Sequence, residues 1–370
     1  MTQPSMTNIL ERDTPYLRSL QEANPGLRII THSNDEYETL RNPFNKNTTA
    51  RPPAIVVPKN QEELLAAVKY CTSLTPPIPL TVRSGGHDLH GRYTSEDAIL
   101  LDVSQVTNIQ VFPDRHTVTI GPGVQGLPLL QALDAHGLTT AVGWCSRVSA
   151  IGWAAGGGYG IAQGVWGLGA DNILGARVIT PGPEGTIVDT DDDPELLWAI
   201  RGAGLGNFGV ISELRLKVYK RPRQLAGMIV FPLAEARSVL LDGLQRFSDE
   251  GRLPGNFNGE FMVGNTPGIG YSVTFLWSWI CDPDTDESLQ KGWELVEEFK
   301  KFGTVLLNTV GESKFAPSAN PVPRLSIIID ERRSSYHVYI SPISRPPLAH
   351  RRLLSSQLFW DAIWPVPGAH

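Results

Sequence analysis

Cysteine is scarce in this chain of 370 residues: it occurs three times, at positions 71, 145 and 281. Three thiols cannot all pair within one molecule, and they are far too few for a disulfide-framed scaffold. Positive charge is not in surplus either. With 32 Lys and Arg against 38 Asp and Glu, the formal net charge is −6, which excludes the basic footprint of a nucleic-acid-binding protein. No apolar run approaches the roughly 18 residues that a membrane-spanning helix takes. Residues 1–21 lack a basic segment followed by an apolar run of signal-peptide length, so a cytoplasmic protein is expected. Asn47-Thr48-Thr49 fits the glycosylation pattern, yet without such a leader it reads as a chance match. No internal repeat is visible. His90, His116 and His136 have neither metal-ligand spacing nor a glycine context, and no metal is expected.

Glycine is plentiful, and it is concentrated. Residues 143–160 read GWCSRVSAIGWAAGGGYG, and about sixty residues earlier stands Arg83-Ser84-Gly85-Gly86-His87. Glycine at this density serves backbone that must bend with φ > 0 or approach a ligand closely. Successive N–H groups in tight turns make concave anion sites suited to a pyrophosphate. His87 and Cys145 are nucleophiles that could grip an electrophilic guest. The reading that follows is one bulky anionic cofactor held by two loops.

At these residues the chain resembles the flavoproteins of the vanillyl-alcohol oxidase type, with a PCMH-type FAD-binding domain, and within them the berberine-bridge-enzyme-like branch. In that branch the histidine of the R-S-G-G-H run bonds the flavin 8α-methyl. The cysteine of a G-x-C-x-x-V-G-x-G-G-x-x-x-G-G-G run bonds C6 of the same ring. The matching positions are His87, Cys145, Val148, Gly152 and Gly156-Gly157-Gly158; two glycines of the pattern are replaced, by Ser149 and Ile151. The resemblance covers roughly residues 40–220 and continues through Asp171-Asn172, residues 196–204 and Gly206-Asn207-Phe208-Gly209-Val210-Ile211. It implies FAD held by Arg83, Ser84, Gly85, Gly86, His87, Asp88, Cys145, Val148, Gly152, Gly156, Gly157, Gly158, Tyr159, Asn207, Gly209, Val210 and Ile211, with His87 and Cys145 covalently attached. Family members usually run longer and return to the flavin through a late segment with a neighbouring tyrosine and asparagine. No such segment occurs here, so the substrate domain is expected to be abbreviated.

The expected fold class is α+β: a two-lobed FAD-binding domain over residues 1–222, with its core at about 50–220, then a substrate domain over 223–345 with an antiparallel sheet, and a loosely packed tail over 346–370. Short helices are expected near 14–22 and 35–41. Strands are expected at 54–57, 79–83, 98–103, 117–123, 176–180 and 186–188, and helices at 61–74 and 126–136, the latter stopped by Gly137. His87 then follows the carboxyl end of a strand, where ligands collect in α/β layers. Cys71 reads as a buried structural thiol. Asp102 reads equally as the acid of the family's D-x-S segment or as a turn-capping carboxylate. Asp191-Asp192-Asp193 before Pro194 suits helix capping better than a metal. Gly204–Gly209 satisfies G-x-G-x-x-G, but helix precedes it and strand follows, the reverse of the dinucleotide-binding context. Further on, strands at 227–231, 259–263 and 270–277 alternate with helices at 234–247 and 287–302, and runs at 326–329 and 336–340 add strands.

A flavin does the electron chemistry itself, while the protein places the substrate and excludes competitors. The implied reaction removes a hydride from an alcohol, amine or activated C–H of a small molecule, with O2 as acceptor. Glu260, Tyr271, Tyr336 and Tyr339 are candidates for the base, since relatives use a glutamate or tyrosine from this sheet; alternation allows Glu260 or Phe261, but not both, to face the cavity. Nine tryptophans and the stretch Phe275-Leu276-Trp277-Ser278-Trp279 suit an aromatic or secondary-metabolite substrate, though such clusters more often fill cores. Two alternatives stand beside this reading. One is a flavin-retaining protein without redox turnover, cyclase-like or inactive through truncation; the other is a nicotinamide-dependent flavin reductase.

Overall fold

The computed structural model describes residues 14–182, 185–266, 268–314 and 336–340. The β-branched and leucine runs of the first half form two small sheets. In the first, β1 (Arg28–Thr31), β2 (Ala54–Val57), β3 (Leu80–Arg83) and β4 (Ile99–Asp102) lie in the order β1-β2-β4-β3. Its β2–β4 and β3–β4 pairs are parallel. The helix Gln61–Ser73 makes the β2-to-β3 connection and buries Leu64, Ala67, Val68 and Cys71. Burial pushes the Cys71 thiol pKa up to about 12, so it stays protonated and packs as a small apolar group.

The second sheet is antiparallel throughout. It joins β5 (Ile109–Val111) and β6 (Thr117–Ile120) to three later strands, while β7 (Leu138–Thr139) leaves it for a two-stranded pairing. Those later strands are β8 (Ile173–Ile179), β9 (Ile187–Asp189) and β10 (Val210–Lys217), in the order β5-β6-β10-β8-β9; β11 (Tyr219–Lys220) is the partner of β7. Helix Gly126–Asp134 ends before Gly137, whose φ of 66° is the left-handed stop the sequence predicts. Asp193 caps helix Pro194–Ala203 by accepting the Leu196 N–H at 3.0 Å. Asp189 and Asp191 both pair with Arg215, which accounts for most of that acidic run.

The third sheet is built from β12 (Arg223–Pro232), β13 (Phe257–Thr266), β14 (Gly270–Ile280), β15 (Leu307–Asn308), β16 (Gly311–Lys314) and β17 (Tyr336–Ile340), all antiparallel. Helices cover one face. Leu225, Ile229, Phe231, Phe257, Phe261, Val273, Phe275, Trp277 and Trp279 share a core with Val239, Leu244, Phe247, Val296 and Phe299. Phe275, Trp277 and Trp279 therefore fill this core and do not line a site. The single helix expected over 234–247 is instead a 3-10 turn (Leu233–Glu235), a π-helical stretch (Ser238–Gln245) and a short α-helix (Arg246–Asp249). Gly243 within it lies against the Phe302 ring, where a side chain would collide. The strand expected at 326–329 and the tail 346–370 lie outside the described residues. Among the described residues no helix is long and apolar enough to cross a membrane.

Phe299 is fully buried, with ring centroids 4.7 Å from Trp277 and 5.1 Å from Phe257. Phe299→Ala should cost about 3–5 kcal/mol, the range for truncating a buried aromatic. The check is the denaturant midpoint of the transition followed by tryptophan fluorescence; an unchanged midpoint would mean that the helix does not pack as described.

Candidate functional site

The loop after β3 is set by a buried ion pair. Arg83 and Asp102 end adjacent parallel strands, in register with one another, and are both nearly excluded from solvent. Arg83 Nε donates to Asp102 Oδ2 at 3.2 Å, and Nη2 donates to the same oxygen. Oδ1 accepts the Ser104 N–H at 3.0 Å. Asp102 is thus both the partner of the loop's first residue and the cap of its own turn. Ser84 Oγ donates to the Pro122 carbonyl, and Gly86 has φ 68°. His87 stacks on Phe44 with ring centroids 4.5 Å apart. Its pKa is held below the ordinary histidine value by burial and then by the Arg147 charge, so at neutral pH the ring is uncharged and nucleophilic. Asp88 bonds Arg92 and the backbone of residues 90 and 92, which lowers its pKa to about 2.

The second loop touches the first. A Cβ on Gly85 would stand 2.9 Å from Ser149 N and 3.3 Å from Arg147 O, so only glycine permits this approach. Cys145 is exposed and unpaired, and its carbonyl accepts the Val148 N–H at 3.2 Å. Gly126 N–H donates to Val148 O, and Leu127 N–H to Ser146 O. The two replaced glycines are absorbed locally. Ser149 caps helix Ala150–Ala155 by accepting the Gly152 N–H, and Ile151 is buried in the core under that helix.

The triple glycine follows the same helix. Gly156 closes it with an N–H bond to Gly152 O. Gly158 has φ 75°, and a Cβ there would meet Gly169 Cα and Trp153 O at 2.9 Å, so any other residue forces the loop apart. Trp153 Nε1 donates to Tyr159 O at 2.7 Å, leaving the Tyr159 side chain exposed. Asn207 Nδ2 donates to Ala203 O, and Gly209, at φ 130°, leads into Val210 and Ile211, which are buried in the cores under the sheets. Asn172 bonds Trp166 O, Leu168 O and the Tyr219 hydroxyl, a structural brace.

A profile of the family described as FAD binding domain matches residues 52–191. Residues 52–191 are an FAD binding domain. The chain is similar to the FAD-linked oxidoreductase aurO of Gibberella zeae, 38% identical over 301 residues, covering 81% of this chain and 57% of that protein. It is similar to (R)-6-hydroxynicotine oxidase of Paenarthrobacter nicotinovorans, 32% identical over 227 residues, covering 60% of this chain and 49% of the relative. The chain thus spans about half the length of these curated relatives. The BBE-like 1 structure of Physcomitrella patens shares the fold, with a TM-score of 0.68 at 22% identity over 83% of this chain and 66% of that one. The likeness to that structure is one of fold, and FAD is the cofactor that the matched domain takes.

The residues present fit that group. Gly157 and Gly206 have positive φ and no atom within 4 Å of where a side chain would stand, so their backbone faces open space. Tyr159, Leu168, Leu205 and Phe208 expose apolar surface around these glycines, which a flavin or adenine face would cover. Among the described residues no group of three His, Cys, Asp or Glu is placed to hold a metal ion.

Of the base candidates, Glu260 is buried, on the face of the third sheet opposite the helices, where Asn258 Oδ1 accepts the Gly164 N–H at 3.1 Å and Ser278 Oγ donates to Ile161 O at 3.1 Å. Tyr271 is exposed, and strand alternation puts it on the other face, with Val273 and Phe275. Tyr339 is the register partner of Glu260, and Tyr336 that of Val263. The sequence reading missed Phe44, Trp144 and Arg147. Phe44 reaches the site only through folding, and no local pattern marks it; Trp144 and Arg147 stand inside the motif but at its unspecified positions.

Asp102→Ala would leave the Arg83 guanidinium buried without its partner, which should destabilise the protein by about 3–5 kcal/mol. Denaturant unfolding measures this, and a loss below about 1 kcal/mol, the range of an exposed pair, would show that the loop is not anchored there.

Proposed function

We propose that this chain is an FAD-linked oxidoreductase, bicovalently flavinylated through His87 and Cys145, that oxidises an alcohol, amine or activated C–H of a small organic substrate, with O2 as acceptor. In this proposal residues 1–222 hold the cofactor and residues 223–345 supply the substrate wall. The observation that supports it is the close approach of Gly85 to the Ser149 backbone, which joins the loop carrying a neutral histidine to the loop carrying an exposed thiol. The similarity to (R)-6-hydroxynicotine oxidase supports a heteroaromatic or amine substrate over a sugar.

When bound, FAD supplies the two-electron acceptor at N5. The chain's own part is to hold, orient and deprotonate. Arg83 and Asp102 fix the first loop, and the glycine turns would let the backbone come close to the cofactor. Glu260 takes the hydroxyl, phenol or ammonium proton of the substrate as the hydride leaves its carbon. The sheet face that carries Glu260 also carries Met228, Val230 and Leu276, with Met262 and Trp144 packed against them, an apolar wall suited to excluding water.

Anaerobic mixing with a panel of aromatic alcohols, amines and oligosaccharides tests the reading. Bleaching of the flavin band by an alcohol or amine is expected. Persistent oxidised flavin across the panel would point to a flavin-retaining protein without redox turnover, and bleaching only by a reduced nicotinamide to a flavin reductase. Glu260→Gln should slow the bleaching by roughly 10²–10⁴-fold, the span of general-base assistance, with flavin content unchanged; equal rates would remove Glu260 from the mechanism.

A further inference from the structure

Cys145 is exposed, yet the chain around it is held on every side. Upstream, Gly143 lies flat against the Trp153 indole: a Cβ there would sit 3.0 Å from Nε1 and 3.1 Å from Cδ1. That indole is itself fixed by its bond to Tyr159 O. Downstream, Ser146 O and Val148 O accept N–H bonds from Leu127 and Gly126. Between the clamps stands Trp144, whose ring packs across the chain onto Met228, Val230 and Leu276 of the third sheet. Cys145, the next residue, is exposed and opens the turn closed by the Val148 N–H bond to its carbonyl, so the thiol starts from a backbone position that the indole anchors. We propose that Trp144 is the positioning residue for Cys145: its docking on the third sheet sets where the thiol points, so the second cofactor bond forms only when that sheet is in place.

The inference rests on the reading that Cys145 bonds the flavin. In that bond formation the sulfur joins C6 while the thiol S–H and the ring C6–H break. Both hydrogens leave as protons, and the two electrons released pass through the ring to dioxygen, the oxidant, which becomes hydrogen peroxide. The thiolate is the nucleophile, so its direction decides the outcome. Trp144 touches neither sulfur nor ring in this scheme and acts only through orientation. A displacement of about 1 Å from a packing change is enough to cost 10²-fold in such a reaction.

The test uses the whole chain, with flavin linkage read site by site after acid denaturation and digestion. His87→Ala should keep its flavin through Cys145. Adding Trp144→Ala to it should reduce retained flavin at least tenfold, and Trp144→Phe in the same background should restore most of it. Trp144→Ala alone should keep flavin on the His87 peptide and lose it from the Cys145 peptide, which shows that the domain still folds. Equal retention in His87→Ala with and without Trp144→Ala would overturn the positioning role. Loss of flavin from both peptides in Trp144→Ala alone would also overturn it, since Trp144 would then serve folding in general. Complete release from His87→Ala alone would overturn the underlying Cys145 bond, and the inference with it.

Discussion

The approach of Gly85 to the Ser149 backbone is the constraint from which the rest of the site follows. A methyl group there would stand 2.9 Å from a main-chain nitrogen, so two loops separated by some sixty residues share one floor. The buried Arg83–Asp102 pair fixes one of them from below. Removing one partner of such a pair is costly because the other charge stays behind without water. The second loop is fixed by backbone bonds to Gly126 and Leu127 and by the helix that Ser149 caps. Each loop is thus held by contacts of its own, which suits the proposed pair of bonds to one rigid ring.

The third sheet divides its labour by face. Phe231, Phe257, Phe261, Phe275, Trp277 and Trp279 point into the helices and supply apolar burial there, at roughly 25 cal/mol per Å² of apolar area removed from water. Its other face carries Gln224, Asn258, Glu260 and Ser278 among aliphatic residues. Gln224 Nε2 donates to Ser278 Oγ at 2.8 Å, and Ser278 Oγ passes a bond to Ile161 O. Buried polar groups need such partners, and here the partners lie in the segment that follows the triple glycine. The sheet is therefore keyed to the cofactor loops by hydrogen bonds and by Trp144, not by apolar area alone.

Much of this was legible in the sequence where the signal is local. Gly137 as a helix stop, Asp193 as a cap, Cys71 as a buried thiol and the strand before His87 each depend on neighbours a few residues away. Asp102 reads from the sequence equally as the acid of a D-x-S segment or as a turn cap, and its ion pair with Arg83 comes from strand pairing between distant segments. The stretch Phe275–Trp279 shows the other limit. Its alternation predicts two faces, but the period does not say which one meets the helices. Phe44 against His87 and Trp144 against β12 are products of tertiary packing between distant segments. The π-helical winding of Ser238–Gln245 was equally invisible, since its buried positions Val239, Leu240, Gly243 and Leu244 keep the spacing of an ordinary helix face.

That both loops serve one flavin is tested most directly by a tryptic map of denatured protein. Cleavage after Arg83, Arg92, Arg115 and Arg147 leaves His87 and Cys145 on separate peptides. The account predicts one species with the mass of both peptides plus a single flavin, absent when either His87 or Cys145 is changed to Ala. Flavin on the His87 peptide alone, with the Cys145 peptide recovered as a free thiol, would contradict it.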